Sequence, residues 1–407
     1  MAPMLMKRRY GVPALVLGAG VNGLGVVRSL ARAGVPVWLA DTDLRSAEVR
    51  TRYARKLNAP TLSGEALIEA LEFWARCCFS GQRPVLFLTQ EQTVRTVSHY
   101  RSRVRSLYRV RLPDAECVEA LVTKQGFHRL ASTHGAPVPA TIHVRDESDL
   151  AALVALRFPA VMKPAWHSPL YTSRFRKAYC VDSAEVAAEL YRNVRSTMPD
   201  MVVQEWIEGT DADIYFCLQY VQPSGEPAAA FVGRKIRSWP PQVGGTASCT
   251  SANEVADELE RLTTAFFRAV GVTGMASMEF KRDRRTGHFM MIEPTIGRTD
   301  YQEEVATLHG VNIPLAAYRD ILGLESAGDR PAPRQRIWRN TSLDRWSAEK
   351  QGVTPGHDMP VGAAAVDAYW RWHDPAPGLA VLAARLMHRI RRLWFRTPPA
   401  TRRGVTP

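Results

Sequence analysis

The stretch MASMEFKRDRRTGHFMMIEPT, residues 275–295, contains two apolar segments separated by a turn signal at Thr286 and Gly287. Short apolar segments on either side of a glycine turn predict two neighbouring β-strands. Glu279 lies on the first strand and Glu293 on the second. Two carboxylates on paired strands could converge on one metal ion, since carboxylate oxygens are ligands that Mg²⁺ prefers. The stretch therefore predicts a strand pair that carries a metal site.

Upstream of this stretch, lysine stands at two positions suited to phosphate. Lys124 opens a predicted helix, and Lys163 ends the predicted strand FPAVMKP at 158–164, from where its ammonium could reach out of the sheet edge. Only eight of the 53 basic residues are lysines. A lysine that persists against an arginine background indicates a need for a compact point charge. Lys177 and Lys235 are candidates on the same ground, although each of these lysines could equally be a surface residue.

A third segment, MVVQEWIEG at 201–209, is a candidate nucleotide clamp. A strand that leaves backbone groups free can pair with an adenine edge. The strand ends in Gln204, Glu205, Trp206 and Ile207. Asp211 or Asp213, which follow, could accept the ribose hydroxyls. Phosphate transfer from ATP needs such a clamp, cations on the phosphates and acidic ligands for magnesium, and the sequence offers all three in order.

The order of Lys124, FPAVMKP, VVQEWIEG, MEF and IEP resembles the ATP-grasp superfamily, especially its carboxylate–amine ligases. The resemblance extends over roughly 122–324. It implies an α/β chain in which a Rossmann-like N-terminal domain precedes an ATP-grasp domain, whose two α+β subdomains clamp ATP. It also implies ATP and magnesium as cofactors. The reaction that it implies is carbon–nitrogen bond formation through an acyl phosphate.

The same resemblance gives residues roles by their positions in the motifs. Phosphates would be bound by Lys124 and Lys163, and magnesium by Glu279 and Glu293. The adenine-binding hinge would comprise Gln204, Glu205, Trp206 and Ile207, with Asp211 or Asp213 on the ribose. The cations that neutralise the transferred phosphate or the substrate carboxylate would come from Arg234, Lys235, Arg237 and Arg298, among which we favour Lys235 and Arg298.

Two features depart from the family pattern. Members commonly show E-x-N on the second metal strand, whereas Thr295 stands two residues after Glu293 here. A hydroxyl then replaces an amide oxygen, which predicts one firmly held magnesium. The loop AWHSPLYTSRFRK at 165–177 lacks the glycines that often let a lid cover phosphates. It is predicted to be stiffer or to bind phosphate through Arg174 and Arg176.

The N-terminal region carries a different nucleotide signature. A buried strand at 14–17 is followed by the G-x-G-x-x-G loop at 18–23, a helix and a second strand that ends at Asp41. In a dinucleotide-binding βαβ unit, such a loop holds the pyrophosphate and the acid holds a ribose. An NAD(P)-dependent oxidoreductase is therefore an alternative hypothesis, and a non-catalytic nucleotide-binding protein is a third. By resemblance to ATP-grasp enzymes, the glycine loop would instead face the acceptor substrate.

The patterns divide the chain into three regions. Residues 1–115 are predicted to form the Rossmann-like domain, 116–325 the ATP-grasp domain, and 326–407 a linker with a basic amphipathic C-terminal extension. The segment 325–360 is rich in proline, glycine and charge, which predicts a linker or covering segment. The acceptor would bind between the first domain and the loop at 230–250, where PQVGGTAS is either a mobile loop or a surface turn. Small-molecule carboxylates and amines are the expected partners, and their identity stays open.

Composition restricts the remaining partners. The formal net charge of +13 suits anionic ligands, but no nucleic-acid-binding motif accompanies it, so no nucleic acid is expected. Six cysteines occur without a C-x-x-C pair, and no run of about 18 apolar residues is present. These features predict a cytoplasmic protein.

A basic amphipathic helix is predicted at 379–395, with arginines on one face. Its apolar positions are 379, 382, 383, 386, 390 and 393. The helix could dock on the body or in a homodimer, or it could anchor the protein peripherally at a membrane surface. Trp394 and Phe395 beside arginines suit the anchor.

Overall fold

The structure is a computed structural model that describes residues 9–166, 168–176, 178–242, 244–325, 335–354, 359 and 362–394. Three sheets organise these residues. Most positions of the sequence motifs lie within these residues. His167, Lys177, Val243, Phe395 and the linker positions 326–334 and 355–358 lie outside the described residues.

The N-terminal region forms a parallel sheet of four strands in the order β3-β2-β1-β4. The strands are β1 (Ala14–Leu17), β2 (Val37–Asp41), β3 (Ala54–Asn58) and β4 (Val85–Leu88). The helices are α1 (Gly20–Arg32), α2 (Gly64–Cys77), α3 (Glu91–His99), α4 (Arg101–Leu107) and α5 (Ala115–Leu121). Every residue of β1 and β4 is buried, as expected for parallel strands covered by helices. This architecture fits the predicted Rossmann-like domain.

The second sheet is antiparallel and has the order β5-β8-β6-β7. Its strands are β5 (Thr141–Val144), β6 (Ala160–Pro164), β7 (Tyr179–Val181) and β8 (Met201–Glu205). The helices of this region are α7 (Pro169–Arg174) and α8 (Ala184–Val194). The preceding helix α6 (Lys124–Thr133) instead packs through Phe127 and Ala131 into the core that the first domain shares with the third sheet. Its apolar side chains form a core of their own, which includes Met162, Tyr191 and Val203. This unit is the small subdomain.

The third sheet has seven strands in the order β13-β12-β9-β10-β11-β14-β15. They are β9 (Ile214–Val221), β10 (Pro227–Trp239), β11 (Gly245–Ser251), β12 (Gly274–Arg282), β13 (Phe289–Ile296), β14 (Arg336–Arg339) and β15 (Ala364–Asp367). The helices are α9 (Ala256–Ala269), α10 (Glu304–Leu308), α11 (Ile313–Ile321), α12 (Thr341–Gln351) and α13 (Ala376–Trp394). Its core is continuous with that of the N-terminal domain, because both core clusters contain residues of each.

Part of the segment expected to be a linker belongs to this sheet. Arg336–Arg339 pairs with β11, and Ala364–Asp367 pairs with β14. Farther on, Asp374 accepts a hydrogen bond from Arg28 Nε of α1 at 3.0 Å, and both side chains are almost completely buried. Burying a charge is favourable only when it is paired, so this contact fixes the C-terminal segment to the first domain. The composition of 325–360 gave no hint of this pairing.

Candidate active site

Glu279 and Glu293 are direct partners in the antiparallel pair of β12 and β13. Side chains of directly opposed residues project from the same face of a sheet, with Cβ atoms about 5 Å apart. Glu293 is exposed, so its carboxylate can be reached from solvent. The predicted convergence of the two carboxylates is thus geometrically available.

Lys235 of β10 approaches the same place. Its Nζ lies 2.6 Å from Glu279 Oε2, and the lysine is only 4% exposed. Burial by itself would lower the pKa of Lys235, but Glu279 and the more distant Asp300 and Asp211 raise it above its ordinary value. The side chain therefore remains an ammonium. It neutralises Glu279 and leaves Glu293 as the carboxylate open to a cation.

Asp300 was not predicted as a site residue. Its carboxylate accepts hydrogen bonds from Thr295 Oγ at 3.2 Å and from Ser277 Oγ at 3.3 Å. The Thr295 hydroxyl is therefore engaged with Asp300. No motif marks Asp300 in the sequence, because its position is set by the fold of the loop after β13. Within the described residues, no group of three or more histidine, cysteine, aspartate or glutamate side chains is arranged to hold a metal.

The two predicted phosphate lysines come together at the small subdomain. Lys124 is the first residue of α6, and Lys163 lies near the end of β6. Both line one small cavity with Gln204 of β8 and Ile292 of β13. Lys163 Nζ donates to Gln204 Oε1 at 3.0 Å. The cavity therefore joins the small subdomain to the strand that carries Glu293.

In the hinge segment at the end of β8, the first backbone amides already donate hydrogen bonds within the protein. Glu205 N donates to Ala140 O at 2.9 Å, and Trp206 N donates to Pro159 O at 3.1 Å. The N–H of Ile207 donates to none of the described backbone oxygens. It is the first amide after the strand that a ligand could use.

Lys281 was also missed by the sequence reasoning. Its Nζ lies 4.7 Å from the ring centroid of Trp206, a cation–π contact. Lys281 follows Glu279 by two residues on β12, so both side chains are on one face of the strand. Burial lowers the pKa of Lys281, against the opposing effect of Asp213 and Asp211. The scarcity of lysine was the available signal, and it was not applied to this residue.

Asp211 and Asp213 both hold the loop after the hinge. The buried Asp211 accepts from Ser238 N at 2.9 Å and from Gln242 N at 2.7 Å. Asp213 accepts from Thr210 N at 2.6 Å and forms an ion pair with Arg284 at 2.7 Å. Asp213 is the more accessible, with 15% of its side chain exposed.

Comparisons with known proteins give consistent results, although no family model matches the chain. The D-aspartate ligase of Enterococcus faecium is 21% identical over 318 residues, which cover 74% of each chain. N5-carboxyaminoimidazole synthetase of Staphylococcus aureus, solved with ADP, has a TM-score of 0.60 at 10% identity and 82% coverage of both chains.

A third similar structure is the biotin carboxylase domain of Hydrogenobacter thermophilus 2-oxoglutarate carboxylase. It was solved with MgADP, ADP and bicarbonate, and it has a TM-score of 0.58 at 13% identity. The match covers 79% of this chain and 72% of that one. The chain has the ATP-grasp fold. The predicted fold class and the predicted resemblance to ATP-grasp carboxylate–amine ligases are both confirmed.

The ATP-grasp sheet meets the glycine loop of the first domain through the segment after β13. Asn22, in the first turn of α1, donates from Nδ2 to Thr299 O at 2.8 Å. Arg298 is partly exposed beside this contact, and its guanidinium donates to Thr299 O at 3.3 Å. Among the described residues, the fully buried Glu303 has no hydrogen-bond partner at either carboxylate oxygen, and burial raises its pKa well above the ordinary value. The glycine loop thus faces the ATP-grasp domain.

Asp41 has a local role in this arrangement. Its Oδ2 accepts from Ala19 N in the glycine loop at 2.6 Å, and its Oδ1 accepts from Asp43 N at 3.0 Å. The carboxylate is 9% exposed. An acid that binds a cofactor ribose needs an accessible carboxylate, and the burial and local hydrogen bonds of Asp41 count against the dinucleotide hypothesis.

Local contacts hold the described parts of the two loops at 165–177 and 241–248. The segment after β6 forms the helix α7, whose N-cap Ser168 accepts from Tyr171 N at 3.2 Å. Gly244 lies in the turn between β10 and β11, and Gly245 begins β11. A Cβ on Gly244 would come within 2.0 Å of the Trp239 backbone. Glycine is needed at position 244 for that close approach. His309 uses both ring nitrogens in hydrogen bonds.

Proposed function

We propose that this ATP-grasp protein is a magnesium- and ATP-dependent ligase that joins a carboxylate to an amine. In the first step, a carboxylate oxygen of the substrate attacks the γ-phosphorus, and ADP leaves. The amine nitrogen then attacks the carbonyl carbon of the acyl phosphate, phosphate leaves, and the nitrogen loses a proton. Magnesium, when bound, would neutralise charge on the β and γ phosphate oxygens. The observation that carries the proposal is the opposed pair Glu279 and Glu293, on the strand whose Ile292 lines the cavity of Lys124 and Lys163.

Each part of ATP would be bound by a different group of the predicted site residues. Lys124 and Lys163 would bind phosphates, and the segment Gln204 to Ile207 would bind adenine, with the N–H of Ile207 as donor. Of the two ribose candidates we favour Asp213, since Asp211 is buried and accepts two backbone hydrogen bonds. The ribose would then replace part of the contact between Asp213 and Arg284.

The metal site would be built from two carboxylates and the nucleotide. Mg²⁺ often binds through one or two carboxylates together with substrate phosphates and waters, so a set limited to Glu279 and Glu293 fits this ion. Lys235 would hold Glu279 in place by its ion pair. Arg298, which has exposed surface, then becomes the preferred cation for the transferred phosphate or the substrate carboxylate.

The acceptor would bind between the glycine loop and the segment from Arg298 to Glu303. The unpartnered Glu303 carboxyl and the Thr299 hydroxyl support this position, because buried polar groups normally have partners. The name of the Enterococcus faecium relative points to amino acids as the first substrates to test. A cytoplasmic location and a homodimer remain predictions.

ADP release is the direct test. Purified protein is incubated with magnesium, ATP and pools of carboxylates and amines, and we expect ADP release that requires both a carboxylate and an amine. Hydroxylamine in place of the amine should trap the acyl phosphate as a hydroxamate. Clear NAD binding without magnesium-dependent ATP binding would favour the oxidoreductase. ATP binding without any turnover sensitive to Glu279 or Glu293 would favour a non-catalytic nucleotide-binding protein.

A further inference from the structure

The C-terminal helix α13 exposes its apolar residues. Leu379, Leu382, Leu386 and Met387 are each between 52% and 60% exposed. A helix that is docked on a protein body buries the apolar stripe that such residues form. Among the described side chains of α13, only Pro377 and Gly378, at its beginning, are buried. The helix is attached at its start, and the four apolar side chains named above are in contact with solvent.

The exposed residues border an apolar groove on the body of the protein. The groove has a volume of about 1180 Å³ and lies between α13, α12 and the short turn at 45–50. Trp346 of α12 is one of its walls and is 43% exposed. Trp372, which is outside the groove lining but four residues before the start of α13, is 88% exposed. Tryptophan is enriched at the boundary between lipid headgroups and acyl chains, so the composition of this surface suits an interface with lipid.

Arginines surround the same groove. Its lining includes Arg45, Arg50, Arg345 and Arg385, which come from three separate elements. From residue 376 to the end of the sequence there are seven arginines and no aspartate or glutamate. Clusters of four to eight basic residues on an amphipathic helix are typical of segments that bind anionic lipid. The charged residues that line the groove are therefore all basic, although Arg345 also forms an exposed ion pair with Glu349 at 3.3 Å.

We propose that α13 and the groove beside it dock on an anionic lipid surface, with the leucine face at the level of the acyl chains and the arginines on the headgroups. A second copy of the chain fits less well. Two copies meeting through this face would bring arginines against arginines, and like charges at an interface are unfavourable. Within the described residues, no helix is long and apolar enough to cross a bilayer, so the contact proposed is peripheral.

Vesicle flotation tests the proposal on the full chain. The vesicles are of pure phosphatidylcholine or of equal parts phosphatidylcholine and phosphatidylglycerol. We expect binding to the anionic vesicles and little binding to the neutral ones, and the binding should weaken with added salt. Replacing Arg345 and Arg385 by Gln should lower the apparent affinity about fivefold per charge.

The double variant Leu382→Glu/Leu386→Glu should abolish vesicle binding. Val154→Glu is the matched control, because Val154 is a 78% exposed apolar residue outside the groove, and this variant should bind as the unchanged protein does. Both variants should keep the parent thermal midpoint, since neither site is buried. The proposal is overturned by equal binding to both vesicle types or by no binding to either. A dimer that the double variant dissociates, without vesicle binding, would assign the face to a second copy.

Discussion

The glycine loop of the first domain and the strand pair β12–β13 each place a carboxylate near a backbone turn. The two carboxylates, Asp41 and Glu293, have different surroundings in the fold. Asp41 stabilises its own loop, where its Oδ2 accepts a hydrogen bond from Ala19 N at 2.6 Å. Glu293 is exposed and lies opposite Glu279. A sequence motif indicates that a carboxylate is present. Whether that carboxylate can bind a ligand depends on its exposure and on the hydrogen bonds that it already accepts.

The largest effect is expected at the open carboxylate. Glu293→Gln removes one charge beside the proposed metal, and we expect turnover to fall about 10³-fold, because a bound metal supplies several kcal/mol of charge stabilisation in the transition state. The measurement is ADP release under saturating ATP. Glu119→Gln, at a residue with about half of its side chain exposed, should leave the rate unchanged. Full turnover in Glu293→Gln would refute the metal assignment.

Thr295→Asn restores the family residue on the same strand. Since the Thr295 hydroxyl is bonded to Asp300 and not required as a ligand, we expect turnover equal to the parent or slightly higher. A large loss would show that the Thr295–Asp300 contact is needed to position the loop after β13. The same ADP assay distinguishes the two results.

The next effect concerns the lysines across the cavity. Lys163→Met removes an ammonium from the cavity that it shares with Lys124, and ATP affinity should fall about 10²-fold, since hydrogen bonds to charged groups contribute roughly 1.5–3 kcal/mol. Binding is measured by calorimetry with magnesium and ATP. The exposed Lys350 provides the control Lys350→Met. Unchanged affinity in Lys163→Met would remove this lysine from the nucleotide site.

A smaller effect, on stability alone, is expected at the occupied carboxylate. Asp41→Asn keeps the shape but loses the charge that accepts from Ala19 N, so the free energy of unfolding should fall by about 1 kcal/mol. ATP affinity should be unchanged. Asp114→Asn, at a fully exposed side chain, should not alter stability. If Asp41→Asn instead kept full stability and abolished NAD binding, the loop would be a dinucleotide site.

The smallest effect is a pH dependence at His309, next to the strand that joins the C-terminal segment to the sheet. Its ring donates to Val305 O and accepts from Arg336 N at 3.0 Å. Burial lowers the pKa of His309 below its ordinary value, so the stability it contributes is present above the unfolded pKa of about 6.5 and is lost as pH falls through the folded pKa. One proton limits the slope to about 1.4 kcal/mol per pH unit.

His309→Gln keeps a donor and an acceptor without the titration. Denaturant unfolding of the two proteins between neutral pH and mild acid should give a flatter profile for the variant. His134→Gln is a control at an exposed histidine. Parallel profiles for the parent and His309→Gln would show that His309 does not contribute to acid sensitivity.

The sequence by itself determined the fold class, because the fold depends on local patterns that are visible in order. The strand signals around 279 and 293, the helix opened by Lys124 and the strand that ends in Lys163 all appear as elements. The βαβ unit with its glycine turn was equally local. Hydrophobic periodicity and turn residues encode such elements directly.

The tertiary structure alone decided which polar groups are available. Lys235 and Glu279 are 44 residues apart in the chain. They meet because their strands, β10 and β12, both pair with β9 and so lie close together in the sheet. Asp300 bonds to Thr295 only through the turn after β13, and the C-terminal strands join the sheet at an edge formed more than eighty residues earlier. Composition cannot reveal these pairings, because strand order and side-chain hydrogen bonds depend on contacts between residues distant in the chain. The leucines of α13 give a further example. Periodicity predicted the amphipathic helix, whereas only the structure showed that the described part of its apolar face is exposed to solvent.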